Sequence, residues 1–330
     1  MLNNSKDLFD VVLLFALPAS GKSEVRHLLA NVEEEKLQKE FHFGETLQLD
    51  DFPYVHFFSR IDEELVKYGQ KRVFYSERDP FIDDRDWGTL VNLLNDDYHL
   101  LKEKKKIITD TPVTYLFDRI QKASEKVGIK RDLFDYTDDV FNNIVCGLTE
   151  DANKIISSNN AQCDLDLEDK TLVIEMARGG EDGATMPLTG AKGYQYSLPW
   201  LDEEILKDAT ILYVWVTPEE SRKKNADRCD PNDPGSNLHH GVSIRVMLND
   251  YGCDDMIYLR DSSDKKDTVK VTKDGKDYYL PIGVFDNRDD KTTFLRADHT
   301  TWKQEDIDTI ANGLKSATDT MYQVKEELEK

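Results

Sequence analysis

The chain has 330 residues, with 43 Lys plus Arg against 65 Asp plus Glu, a formal net charge of −22. So acidic a surface repels nucleic-acid polymers and anionic membranes, and no apolar run is long enough to span a bilayer. A length of this order supports one large domain or two ordinary ones, with no need for stabilising staples. Residues 11–16, VVLLFA, predict a strand buried on both faces. The run ends in Pro18-Ala19-Ser20-Gly21, and residues 22–30 then carry Val25, Leu28 and Leu29 at helical spacing. A short strand over 46–49 leads into Asp50-Asp51. Helices are predicted at about 59–69 and 85–106, with two more between 114 and 160. The 85–106 helix closes on a basic run, Lys102 to Lys106, which complements the negative end of its dipole and reads as a solvated helix end.

A third buried strand spans 171–174 and ends at Glu175. The next segment, RGGEDGATMPLTGAKGYQYSLP over 178–199, holds five of the 17 glycines, so it reads as a mobile or functional loop. A strand over 210–216 meets Thr217-Pro218-Glu219-Glu220, a capping box with Pro at the first helical position. The helix over 218–229 is rich in Lys and Arg, and DPNDPGSN at 230–237 breaks it. Asp274-Gly275 reads as a two-residue hairpin turn. A last strand at 283–285 precedes Asp286-Asn287. A C-terminal helix is predicted from near Thr301, with Gln304 completing a second capping box, to about 327.

Alternating strands and helices predict an α/β layered fold around a mainly parallel, five-stranded sheet. About 120 residues separate the second and third strands, far more than a crossover needs. A helical insertion over 77–166 is therefore expected, serving as an acceptor cap. It interrupts a core built from 1–76 and from 167–330, the latter carrying a lid and the C-terminal helix. Residues 9–19, FDVVLLFALPA, mimic a signal-peptide core, but the same residues make the first strand and its loop, so that reading is set aside. Cysteines at 146, 163, 229 and 253 form no C-x-x-C pair, which fits thiols of a reducing compartment and an expected cytoplasmic location.

The strongest chemical signal is Ala16-Leu17-Pro18-Ala19-Ser20-Gly21-Lys22-Ser23. The phosphate-binding pattern G-x-x-x-x-G-K-[ST] needs backbone N–H groups around a phosphate at a helix N-terminus, a lysine on the terminal phosphates and a hydroxyl for Mg²⁺. Residues 19–23 supply these parts, with Ala16 in place of the first Gly, whose conformational freedom it lacks. Asp50 and Asp51 taken alone read as surface acids or a helix cap. At the carboxyl end of a buried strand they become candidates for work on a substrate, and Arg60 follows as a candidate grip on an anionic acceptor. Arg222, Lys223, Lys224 and Arg228 form a cationic cluster. The adjacent pair His239-His240 lacks a third ligand and is not read as a metal site.

ALPASGKS is similar to the G-x-P-x-S-G-K-[ST] loop of small P-loop kinases, among them polynucleotide-kinase-like, zeta-toxin-like and nucleoside-kinase-like proteins. LQLDDFPY over 47–54 resembles the D-D-[FY] segment of those kinases, and DPFIDDRDWGTL over 79–90 resembles a uridine-kinase stretch. TPEESRKKNADR over 217–228 resembles their arginine-bearing lid helix. The resemblance covers about half of the chain and leaves out the insertion and residues 240–330. It implies a P-loop NTPase-type three-layer fold and an ATP- and Mg²⁺-dependent kinase of a small-molecule hydroxyl such as a nucleoside, nucleotide or sugar. It further implies Ala19, Ser20, Gly21, Lys22 and Ser23 on the phosphates, Asn287 at the base, and Ser23 and Glu175 toward Mg²⁺. Asp50 would be the base or hydroxyl-orienting acid with Asp51 as its alternate, Arg222 and Arg228 would serve the γ-phosphate, and Arg178 would contact substrate. Two rivals stay open: a nucleotide-gated switch or pseudokinase with no acceptor, and a toxin-type kinase.

Overall fold

The computed structural model describes residues 7–77, 80–227 and 241–330. It divides into two units, one holding the chain up to Gln48 with Leu167–Leu188 and Gly193–Lys330, the other Leu49–Asp166 with Thr189–Lys192. In chain order the elements begin with β1 (Val11–Phe15), α1 (Lys22–Ala30), α2 (Glu34–Phe41) and β2 (Glu45–Asp50). The helices α3 (Phe52–Lys67), α4 (Asp86–Lys102), α5 (Pro112–Lys126) and α6 (Asp138–Cys163) follow. The chain then makes β3 (Lys170–Met176), α7 (Gly193–Ser197), α8 (Glu203–Asp208), β4 (Ala209–Trp215) and α9 (Pro218–Asp227). It ends with α10 (Ile244–Asn249), α11 (Met256–Asp261), β5 (Thr268–Lys273), β6 (Lys276–Asp286) and α12 (Gln304–Leu328).

The sheet has six strands in the order β2-β3-β1-β4-β6-β5. β1 runs parallel to β3 and β4, and β4 parallel to β6, while β5 is antiparallel to β6. The expected five strands become six because the hairpin and the last strand are one piece of chain. Asp274 (φ 50°) and Gly275 (φ 76°) make the turn in the left-handed region that such two-residue hairpins require, and β6 then runs through 283–285. All five residues of β1 are buried, as a central parallel strand demands. On one face Val12, Leu14, Val173, Leu212 and Val214 form a single core with Ile310, Leu314, Ala317 and Met321 of α12. Those four recur every three or four residues and make one helix stripe. Gly283 lets that helix close on the sheet, since a Cβ there would lie 2.1 Å from Ala317 O. On the other face Phe15 stacks on Tyr194, ring centroids 4.5 Å apart.

In the second unit the boundary falls earlier than 77, because α3 packs on α6 and belongs with the helices that follow it. The bundle has a polar centre. Asp97 accepts from Tyr54 Oη at 2.6 Å, from Arg119 Nη2 at 2.8 Å and from Asn159 Nδ2 at 2.8 Å. Arg119 Nη1 also donates to Tyr54 Oη at 3.1 Å. One group from each of the four helices meets there, so these polar contacts hold the helices in one register. Arg131 makes a second buried pair, with Nη2 2.7 Å from Asp86 Oδ2.

Other expectations shift at their edges. α2 was not anticipated, because EEEKLQKEF buries only Leu37 and Phe41. α12 begins at Gln304 without the Thr301 cap, because residues 299–301 form a 3₁₀ turn in which Asp298 accepts from Thr300 N. The glycine-rich segment is packed for a definite part of its length. Gly180 N donates to Cys253 O and Gly252 N to Gly180 O, both at 2.9 Å, and a Cβ on Gly193 would lie 2.5 Å from Asp255 Oδ2. Among the described residues no helix is long and apolar enough to cross a membrane.

One half-buried carboxyl gives a pH prediction. Asp254 accepts from Tyr213 Oη at 2.7 Å and from Met256 N at 3.0 Å. Burial pushes its pKa from 3.8 up to about 6, and Asp255 beside it adds to the rise. A carboxyl raised in the folded state favours folding while protonated, so its contribution is full below about pH 4 and is lost as the pH climbs through 6. Asp10, raised by burial to about 6, acts in the same sense. Thermal melts should therefore show part of the stability falling between pH 4 and 6, and Asp254→Asn should flatten that fall. An unchanged slope in the variant would contradict the assignment.

Candidate functional site

β1 delivers the 16–23 loop to the carboxyl end of the sheet, where β3 and β4 flank it. Ala16 is fully buried, and it does not fall among the residues with positive φ, so a side chain fits where the pattern has glycine. Its carbonyl is an anchor: Tyr194 Oη donates to Ala16 O at 3.2 Å and Lys22 Nζ at 3.5 Å. The left-handed positions are Ala19 (φ 55°) and Gly21 (φ 105°). Gly21 is required there twice over, because a Cβ would also stand 2.4 Å from Thr292 Oγ1 and 2.9 Å from Asn287 Nδ2. Gly21 is the N-cap of α1 and supplies no side-chain cap, so no cap group fills the start of the helix dipole. Ser20 is 1% exposed, and among the described residues its Oγ has no hydrogen-bond partner. Ser23, partly exposed, stands in the first turn of α1.

Glu175 is nearly buried within β3, opposite Leu14 of β1, with Met176 rather than Glu175 ending the strand. Its Oε1 lies 3.9 Å from Lys22 Nζ, and its Oε2 lies 3.1 Å from Arg26 Nε and 3.4 Å from Gln48 Nε2. Lysine, carboxylate and arginine thus form one chain of charge beside the loop. A hydroxyl and a carboxylate, Ser23 and Glu175, are hard oxygen donors of the kind Mg²⁺ takes alongside substrate phosphates. An anion bearing several oxygens fits a helix start that carries a lysine, a left-handed glycine and an unsatisfied hydroxyl.

Asn287 was expected to meet a base and instead braces the loop. It is fully buried; Nδ2 donates to Ser20 O at 2.7 Å and to Thr292 Oγ1 at 2.9 Å, and Oδ1 accepts from Lys291 N at 2.6 Å. Arg178, expected at substrate, is 1% exposed and donates to Ser197 Oγ at 3.0 Å and to Ala177 O at 2.8 Å, which makes it a buried brace of the segment after β3.

The helix expected to be a lid divides its cations. Lys224 is buried against Asp290 at 2.6 Å, and Lys223 pairs with Glu220 at 3.6 Å. Arg222 lies between the exposed carboxylates of Asp182 and Glu219, 3.3 Å from each, pairs weak enough to exchange for another anion. The helix start is tied to the loop, with Ser221 Oγ donating to Pro18 O at 2.7 Å, and Glu220 N donates to Thr217 Oγ1 at 3.2 Å as the capping pattern expects. Arg228, Cys229, the 230–237 breaker and His239-His240 lie outside the described residues. Among the described residues no cluster of three or more His, Cys, Asp or Glu could hold a metal ion.

Asp50, Asp51 and Arg60 belong to the helical unit. Asp50 ends β2, and its Oδ1 accepts from Phe52 N at 2.9 Å, a local turn that leads the chain into α3. Asp51 is the buried N-cap residue of that helix. Arg60, expected to grip an anionic acceptor, is instead held by Glu63, Glu64 and Asp151 at 2.5 to 3.2 Å, a set that answers its charge at the partly exposed edge of the bundle. Sequence reasoning missed Arg26, Tyr194 and Thr292. Arg26 could have been found, since it follows Lys22 by four positions on one helix face; Tyr194 and Thr292 reach the loop only through the fold. The chain matches no family model, no curated protein and no solved structure.

Proposed function

We propose that this chain is an ATP- and Mg²⁺-dependent phosphotransferase acting on a hydroxyl of a small molecule such as a nucleoside, nucleotide or sugar, on the plan of the P-loop kinases. The observation that carries the reading is the strand–loop–helix on the central strand. Its left-handed Gly21 has no room for a side chain, and its Lys22 folds back onto Ala16 O. The strand order supports it as well: the chain leaves β1 for β2 on one side and comes back to β4 on the other, the kind of reversal outside which α/β proteins bind ligands. In this reading backbone N–H groups of 19–23 and Lys22 hold the phosphates. Ser23 and Glu175 would hold the cation, which supplies charge neutralisation on the phosphates. Arg222, with Arg228, answers charge developing on the transferred group. Asp50 accepts or orients the proton of the acceptor hydroxyl.

One observation favours a second reading, a nucleotide switch without an acceptor: Asp50 Oδ1 already serves Phe52 N, a role that needs no substrate. Asp50→Asn separates the two. A kinase should keep its ATP affinity while transfer to the acceptor falls by roughly 10²–10⁴, the usual reach of a positioned base. Affinity and transfer measured on one preparation decide it; full transfer in the variant would remove Asp50 from the chemistry.

A further inference from the structure

Resting on the nucleotide reading, one residue that no motif marks gains a role. Lys22 is close to Glu175, and both side chains are about nine-tenths buried. A lysine that turns to a phosphate must loosen its hold on that carboxylate. Where no cation sits at Glu175, leaving this buried carboxylate without a counter-charge is strongly unfavourable, so a lone Lys22–Glu175 pair would oppose ligand binding. Arg26 removes the difficulty. Its Nε is 3.1 Å from the other carboxylate oxygen, Oε2. Gln48 Nε2 stands 3.4 Å from the same oxygen. The Arg26 Nε–H is buried and, among the described residues, makes no hydrogen bond of good geometry, so this is a pairing of charges at close range that can tighten when Lys22 departs.

We infer that Arg26 is a positioning residue of the nucleotide site: it holds the charge of Glu175, so that Lys22 is released to a triphosphate without stranding a buried anion. Lys22 and Arg26 stand one turn apart on α1, so one helix presents both cations to the one carboxylate on β3. Arg26 contacts no ligand itself, and its effect passes entirely through Glu175.

The test is a double-mutant cycle in the full chain, with wild type, Arg26→Gln, Glu175→Gln and the double variant. ATP binding is followed by calorimetry first without metal, so that any part Glu175 plays toward a cation drops out, and then with Mg²⁺. Arg26→Gln should weaken ATP binding about tenfold or more, Arg26→Lys should restore most of it, and in the Glu175→Gln background the Arg26 change should have almost no effect. An equal loss in both backgrounds overturns the inference and makes Arg26 an ordinary packing residue. No loss in either overturns it as well. If Arg26→Gln fails to fold while the double variant folds and binds, the charge of Glu175 is what Arg26 answers, as the inference requires. If both fail to fold, Arg26 is structural and the inference falls. Wild type that binds ATP in neither condition overturns the nucleotide reading and this inference with it, whereas wild-type binding that ignores Arg26 overturns this inference alone.

Discussion

Lys22→Ala should weaken ATP binding by about 10²-fold or more, because it deletes a charge-assisted contact to phosphate and leaves the negative Glu175 facing the ligand. The folded state should suffer less. The contacts to Ala16 O, at 3.5 Å, and to Glu175, at 3.9 Å, are both long, and Glu175 keeps Arg26. Calorimetry and thermal melts on the same preparation read both quantities. Unchanged affinity in a folded variant would contradict the assignment of this loop to nucleotide.

Asp97→Ala should destabilise the helical unit by about 3–5 kcal/mol, the usual result of removing one member of a buried ion pair. The change strands the Arg119 guanidinium and takes away the acceptor of Tyr54 Oη and Asn159 Nδ2 together. Against the typical 5–15 kcal/mol of a whole domain that is a large share. Pairing it with Arg119→Met should recover part of the loss, since the uncompensated charge goes with it. Denaturant unfolding reads the difference, and a loss below about 1 kcal/mol would contradict the picture of a closed polar centre.

The strands were legible because a central parallel strand has to be apolar on both faces, and VVLLF, TLVI and TILYVWV are such runs. α1 was legible to the residue, since Gly21 and the Val25, Leu28, Leu29 spacing bound it. The loop's own chemistry was legible because it sits in eight consecutive residues. Its support was not. Asn287 and Thr292 arrive from the far end of the chain, and Tyr194 from a segment whose glycines suggested mobility. Such contacts are set by which strand ends lie side by side, and local spacing carries no trace of that. Arg60 and Arg178 misled for a related reason. An arginine's type announces charge, but whether carboxylates or backbone carbonyls already surround it depends on packing. The start of the helical unit was placed late because the apolar face of α3 reads equally well as the first helix of the sheet domain or of the bundle.

The most direct measurement is the fate of the terminal phosphate. γ-Labelled ATP, Mg²⁺ and a pool of small hydroxyl-bearing metabolites are incubated with the protein, and the label is followed by chromatography. Wild type is expected to move label into a small molecule, Lys22→Ala to move none, and Asp50→Asn to bind ATP while transferring little. Label that passes only to water, at a rate no metabolite changes, would contradict the kinase reading and favour the switch; ATP that neither binds nor turns over would contradict the nucleotide site altogether.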